Sequence, residues 1–312
     1  MAGNLIFLRR RIKSVRNTQK LTKAMKTVAA AKLRRATTEL KRSRAYREKI
    51  TSLLREAGGK ATLAGQSPKG TGVAAQPPKG TGVPTQPLLA GNEKGAALLV
   101  VVASDKGLCG AFNSHVLRQG EARYRELAAA GGEVILVTIG VKADRYFSKR
   151  KIEPLRSYNG LISRLQAADA ARLATELQEL FVNRGLRSVE FAFSEFVSAS
   201  KQRFSLRRLL PVELELPAAA EAGAGKAGII FEPGADAIFQ ALLPRFVQAA
   251  VYQVLLQSMA AEQVARMVAM DLATRNANDM IRALTLLLNK MRQAAITKEL
   301  LEIITATEAL NK

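Results

Sequence analysis

The sequence predicts an α/β protein in which a small Rossmann-like α/β domain is carried on a long antiparallel coiled coil made by the N- and C-terminal helices. Two observations lead there. The runs Asn4 to Ala57 and Arg245 to Lys312 contain no glycine or proline, while the residues between them hold all 10 Pro and every one of the 22 Gly except Gly3. Gly and Pro interrupt helices most readily, so each run reads as one long helix. The middle of the chain instead alternates short β-branched runs with helical stretches, the pattern of a layered α/β domain. At 1.5 Å per residue the terminal runs would reach about 80 and about 100 Å. Helices that long need each other.

The N-terminal helix occupies residues 1–57. It places Leu8, Ile12, Val15, Thr22, Met25, Ala29, Leu33, Ala36 and Leu40 at steps of three, four and seven. This stripe is narrow and rich in small residues, as a close two-helix seam requires. Residues 58–95 then turn to Gly, Pro, Thr and Gln, with SPKGTGVAAQ from Ser67 repeated as PPKGTGVPTQ from Pro77. That composition cannot bury a core and reads as a flexible surface insertion.

The globular domain is assigned to residues 96–233. It begins with a strand over Ala96 to Ala103, a turn, a helix from Asn113 to Ala130 and a second strand over Glu133 to Ile139. A helix from Leu161 to Asn183 leads to Ser188–Ser198 and Phe204–Leu214, which read as a strand pair. A Gly/Ala-rich connection, Ala218 to Gly228, precedes GIIFEP, and the C-terminal coiled-coil segment takes residues 234–312.

Charge is distributed unevenly. The chain carries +22, and Met1 to Glu56 holds 17 basic and 3 acidic residues, or +14 of that total. Like-charged neighbours four apart, such as Arg9 and Lys13, destabilise an isolated helix, and an acidic partner would relieve them. An acidic protein partner is therefore favoured over a merely solvated face and over nucleic acid. Nucleic acid stays open because Lys and Arg on one helix are its usual footprint, although only Phe7 and Tyr46 are aromatic there. No stretch reads as apolar for the 18 or so residues that a membrane span needs, so the chain is expected to be soluble and cytosolic. One cysteine, Cys109, excludes an internal disulfide.

Catalysis by this chain alone is not expected. Ser104 to Phe112 (SDKGLCGAF) follows a strand and precedes a helix, which is how many proteins hold phosphate. Its spacing matches neither the dinucleotide fingerprint nor a P-loop, so a structural turn is favoured over a ligand site. Cys109 lacks a basic, exposed setting, and His115, the only histidine, lies just inside the next helix. With one His and one Cys, triads and zinc sites fall away.

Four ordered segments carry a family resemblance. NTQKLTKAMKTVAAA (Asn17 to Ala31), SDKGLCGAFN (Ser104 to Asn113), EQVARMVAMD (Glu262 to Asp271) and LNKMRQAAITKELLEII (Leu288 to Ile304) closely resemble the gamma-subunit family of the F-type, proton-transporting ATP synthases, in its bacterial form. The resemblance implies a central rotor stalk whose coiled coil threads the hexamer of alpha and beta subunits, with the α/β domain near the epsilon subunit and the c-subunit ring. It implies torque transmission between the proton-driven ring and the hexamer. No cofactor is expected on this chain, since ATP, ADP and Mg would be bound by partner subunits. The implied location is peripheral, on the cytoplasmic face of the bacterial inner membrane, without direct membrane insertion.

By the same resemblance, Lys23, Met25 and Lys26 would meet an acidic loop of the beta subunit, with Arg266 facing it from the other helix. Arg292, Gln293, Thr297, Glu299 and Glu302 would engage a catch loop, and Phe231 with Glu232 would form the foot on the c ring. The family's V-type relative fits less well, and the paired cysteines of the chloroplast form are absent. A basic coiled-coil protein that binds nucleic acid or acts as a scaffold is the alternative reading.

Overall fold

The computed structural model describes residues 2–64, 87–198, 201–214 and 231–310. The decapeptide repeat and the Ala218 to Gly228 connection lie outside them. The chain divides into two compact units. One comprises Met1–Ala31, Leu108–Gly110 and Ala265–Lys312, and the other comprises Lys32–Gly107 and Ala111–Val264. Helix α1 (Ala2–Ala64) and the C-terminal helix (Ala235–Leu310) each contribute to both.

The larger unit is built on a five-stranded sheet. Its strands are β1 (Ala97–Val102), β2 (Val134–Ile139), β3 (Arg156–Tyr158), β4 (Ser188–Ser198) and β5 (Lys201–Leu210), in the order β3-β2-β1-β4-β5. β1 pairs in parallel with β2 and β4, β2 pairs in parallel with β3, and β5 returns antiparallel beside β4. Parallel strands are buried on both faces and so read as continuous apolar runs. β1, ALLVVV, is buried at every position.

Each face of the sheet has its own apolar layer. Leu98, Val100, Val102, Phe191 and Phe193 pack with Ile50 and Leu54 of α1, with Leu173 and Leu177, and with Val247, Val251 and Val254 of the C-terminal helix. On the other face Leu99 and Val101 meet Val116 and Leu117 of α2 (Phe112–Ala129) and Phe147 of α3 (Val141–Ser148). Helix α4 (Ala167–Asn183) joins the first layer because Ala170, Leu173, Ala174, Leu177 and Phe181 recur along one helical stripe.

The structure corrects the sequence reading at several places. Helix α1 continues through Gly58 and Gly59 to Ala64, past the boundary read at residue 57, and β5 spans Lys201–Leu210 where Phe204–Leu214 was read. The expected helix from Leu161 is a 3-10 turn, Ile162–Arg164, followed by α4, because Leu165 takes an extended ψ of 123° that breaks the helix. The short elements α3 and β3 were not anticipated: β3 is three residues, RSY, mostly exposed, with no apolar alternation to reveal it. The glycine- and proline-free run starts at Arg245, but the C-terminal helix begins ten residues earlier, at Ala235, and contains Pro244. Interior proline costs a helix about 3 kcal/mol. Here the buried Phe239 and Leu243 anchor that turn on the sheet layer and offset it.

The last correction concerns hydropathy. The C-terminal helix contains an 18-residue window with a mean hydropathy of 1.2, apolar enough by length and composition to cross a membrane, and 50% of it is buried inside the protein. Phe239, Leu243, Val247, Val251, Val254 and Leu255 of this helix are buried in the sheet's apolar layer, so it is apolar as an enclosed core helix is.

Gly140 joins β2 to α3 with φ of 94°, and a Cβ there would stand 2.2 Å from the Ala103 carbonyl oxygen. Both the backbone conformation and the space exclude a side chain. Gly140→Ala should therefore destabilise the chain by about 2 kcal/mol or more. Urea unfolding checks this, and a wild-type midpoint would contradict the close approach.

Candidate functional site

The smaller unit pairs the start of α1 with the end of the C-terminal helix. Along α1 the positions 8, 12, 15, 19, 22, 26 and 29 advance by alternating steps of four and three, the spacing of a coiled-coil seam. Leu8, Ile12, Thr22 and Ala29 on this line are buried. The step falls on Lys26, not on Met25, which the sequence reading had placed in the stripe. Met25 flanks the seam and is half-buried.

Three consecutive seam layers are polar. Gln19 Nε2 donates to Asn278 Oδ1, the Thr22 and Thr274 hydroxyls are 2.8 Å apart, and Lys26 Nζ lies 2.5 Å from Asp271 Oδ1. Arg275 Nη2 holds the second Asp271 oxygen at 2.8 Å. Polar groups at seam positions fix register at some expense of stability, because any slip leaves them unpaired. Only Thr22 of these was legible in the stripe; continuing its step from Ile12 through Val15 would have found Gln19 and Lys26.

These pairs set an antiparallel register that brings Ala2 opposite about Ala295, so among the described residues about fifteen, or about 22 Å of helix, run on past the end of α1. Leu300, Leu301, Ile303 and Ile304 are all more than half exposed there. They point to several sides of the helix, so no single flat surface would cover them.

The residues singled out by resemblance fall as follows. Lys23 is exposed, while Lys26 is half-buried and engaged with Asp271. Arg266 is half-buried, and by the register it stands opposite about Ala31, roughly 9 Å along the axis from the level of Met25. Arg292, Gln293, Thr297, Glu299 and Glu302 are all exposed. Arg292 and Glu299 are seven apart on one face, and Gln293 and Thr297 four apart on another, where the Thr297 hydroxyl donates to the Gln293 carbonyl at 3.0 Å. Glu302 pairs with Lys298 at 3.4 Å. In the larger unit Phe231 packs against the main apolar layer and Glu232 is exposed.

The turn after β1 is stitched into the fold. Asp105 Oδ1 accepts from Gly160 N at 2.8 Å and Val141 N at 3.3 Å, and its Oδ2 accepts from the Ser163 hydroxyl at 2.7 Å. Asn113 Oδ1 accepts from Ser104 N at 3.0 Å. Cys109 is buried, and the His115 ring meets Phe204 edge-on at 6.2 Å. These groups hold neighbouring loops together, as a structural turn does.

A family model described as ATP synthase matches residues 4–310. An ATP synthase gamma chain of Pelotomaculum thermopropionicum is 39% identical over 303 residues, covering 97% of this chain and 98% of that protein. The chain belongs to the ATP synthase gamma-chain family. The gamma chain of Solibacter usitatus is 40% identical over 308 residues, covering 98% and 99%. Among solved structures, a chain of the Euglena gracilis mitochondrial ATP synthase rotor, rotational state 1, aligns with a TM-score of 0.59 at 17% identity, over 95% of this chain and 100% of that one. A chain from the OSCP/F1/c-ring assembly of the same enzyme in rotational state 3 gives 0.60 at 16% identity, over 99% and 95%. At those identities the likeness is one of fold, shared by the gamma-chain family's paired helices and α/β sheet.

The polar seam has a pH signature. The hydrogen bond from Lys26, ahead of the nearby Arg275 charge, holds the Asp271 carboxyl below its ordinary pKa of 3.8. A depressed folded pKa contributes stability that is present above the unfolded value and lost as pH falls through the folded one. Asp271→Asn should therefore show a shallower loss of stability than wild type between about pH 4 and pH 2. Urea midpoints of both proteins across that window measure it, and parallel curves would remove Asp271 from the account.

Proposed function

We propose that this gamma-family chain is the central rotor subunit of a proton-transporting ATP synthase, carrying torque between a c-subunit ring and a catalytic alpha/beta hexamer. The observation that carries the reading is the unpaired end of the C-terminal helix. A single helix exposing Leu300, Leu301, Ile303 and Ile304 to several sides requires a surrounding apolar sleeve, and a hexamer with a central passage is one. The names of the relatives supply the assembly to which such a sleeve belongs.

In this reading the chain performs no chemistry, and ATP, ADP and Mg stay on the partner subunits. Torque needs a shaft that contacts each of three equivalent subunits differently at any one angle, because coupling is a difference in contact free energy between states. The unbalanced +14 of Met1 to Glu56 suits acidic loops on the beta subunits, met by Lys23, Met25, Lys26 and Arg266. Arg292, Gln293, Thr297, Glu299 and Glu302, all exposed, would meet a catch loop. Glu232 would present the foot toward the c ring, backed by the packed Phe231. The epsilon subunit completes the stalk, and the assembly sits peripherally at the cytoplasmic face of the inner membrane.

A C-terminal truncation series in reconstituted complexes tests the proposal. Removing Ala306 to Lys312 should leave assembly and ATPase turnover largely intact, since burial in a sleeve is not directional. Extending the cut through Arg292 and Gln293 should reduce both sharply. Subunit stoichiometry and ATPase rate are the readouts, and abrupt loss with the first few residues would refute the sleeve.

Met25→Lys probes the other contact. A new cation facing an acidic loop forms a charge-assisted hydrogen bond worth roughly 1.5 to 3 kcal/mol, which deepens one angular well. Proton-driven synthesis should become less efficient while assembly survives. Unchanged ATP yield per proton moved would place Met25 elsewhere.

A further inference from the structure

A cavity of about 400 Å³ opens in the larger unit between α2 and the start of β4, beside the loop that leads into β1. Cavities of roughly 300 to 1,000 Å³ are the size that holds a small ligand. Strand alternation puts Ser188 and Glu190 on the sheet face that carries α2, the side on which Ala192 packs. Arg123 and Leu127, four apart on α2, line the cavity from that helix, and Pro211 adds a second apolar wall. Gly91 closes one side as bare backbone, since a Cβ there would stand 2.4 Å from the Arg187 carbonyl oxygen.

Two of the three arginines that line the cavity are matched by acids. The Glu190 carboxylate accepts from Arg123 Nε at 2.9 Å and Nη2 at 3.1 Å, and Arg208 Nη2 stands 3.5 Å from it. Arg123 also donates to Glu126 at 3.2 Å, and Arg208 lies 3.6 Å from Glu213. Arg187 differs: it is half-buried, and among the described residues it makes no ion pair. Its Nη2, Nη1 and Cζ lie 3.7, 3.8 and 3.9 Å from the point that a Cβ on Gly132 would occupy. Such near-equal distances set a face of the guanidinium over Gly132 and leave its N–H edges directed elsewhere. Ser188 is 3% exposed, and among the described residues its hydroxyl has no hydrogen-bond partner.

An arginine fork in a cavity wall, without an acid of its own, is completed by an oxyanion. We propose that this cavity binds a small organic monocarboxylate, with the carboxylate on Arg187, the Ser188 hydroxyl as a further donor, and an apolar body against Leu127 and Pro211. Single charge follows from the surrounding acids. One uncommitted cation matches one negative charge, whereas the near-dianion of a phosphate monoester would be repelled by Glu93, Glu126, Glu190 and Glu213. The apolar body follows from size, because a carboxylate alone would leave both apolar walls in water. The site lies within one unit and is independent of the rotor contacts.

Benzoate titrated into the full chain at constant ionic strength tests the site, with ligand-observed proton NMR and calorimetry as readouts. Wild type should bind benzoate at millimolar concentration. Affinity should fall at least roughly tenfold in Arg187→Met, which keeps the apolar stem, and by less in Arg187→Lys, which keeps the charge without the fork. Arg184→Met removes an exposed cation nearby and should leave binding unchanged. Acetate, which lacks the body, and benzamide, which lacks the charge, should both bind wild type more weakly than benzoate. No benzoate binding by wild type at millimolar concentration, or equal binding by Arg187→Met, would overturn the site. Benzamide or acetate matching benzoate would overturn the charged head or the apolar body, and phenyl phosphate binding more tightly than benzoate would overturn the monocarboxylate class. If Arg187→Met fails to fold, Arg187→Lys takes its place, and an unchanged benzoate affinity there counts against the proposal.

Discussion

Everything in this chain depends on α1 keeping one face fixed over its length. Steps of four and three run without interruption from Leu8 through Ile12, Thr22, Ala29, Leu33, Ala36, Ser43, Ile50 and Leu54 to Ala57, all of them buried. A straight helix has 3.6 residues per turn, so a strict 3.5 repeat drifts unless the helix winds about what it packs on. The same line serves two surroundings. In the smaller unit it meets small and polar groups of the C-terminal helix, and in the larger one it meets the aromatic layer of the sheet. Alanines permit close helix approach in one place, and Ile50 and Leu54 fill a thicker core in the other.

The polar seam layers show how such a line acquires a single register. An apolar stripe of Leu, Ile and Ala would tolerate a slip of one heptad with little loss. Gln19 with Asn278, Thr22 with Thr274 and Lys26 with Asp271 do not, since each donor has its acceptor at one offset only. The register in turn decides how much of the C-terminal helix is left over. Polar chemistry near the middle of the pairing thus determines the apolar surface at its end.

Much of this was legible in the sequence, and the exceptions have physical causes. The two long helices announced themselves through missing Gly and Pro, and β1 and β2 through the apolar runs of doubly covered strands. β3 was hidden because an exposed edge strand needs no apolar residues. The start of the C-terminal helix was hidden because Pro244 stops a helix on propensity, whereas burial of Phe239 and Leu243 overrides it. Lys26 was read as surface charge because a seam position is assumed apolar; its acceptor, Asp271, lies 245 residues away. Of the residues proposed to meet partners, composition indicated only the basic sign of α1. Positions such as Arg292 and Glu232 came through family motifs, since an exposed residue leaves no trace in a periodicity.

The distance between partners in the chain has a consequence during synthesis. The seam pairs join residues separated by 245 to 259 positions, so α1 leaves the ribosome long before its partner exists. At about 5 to 20 residues per second the wait is on the order of 12 to 50 s. Through that interval a nascent helix with an unpaired apolar stripe must avoid its neighbours on the same messenger. Its dense positive charge makes like chains repel one another, and the narrowness of the stripe leaves little for them to share. The residues that read as excess charge in the finished protein thus also keep unfinished copies apart.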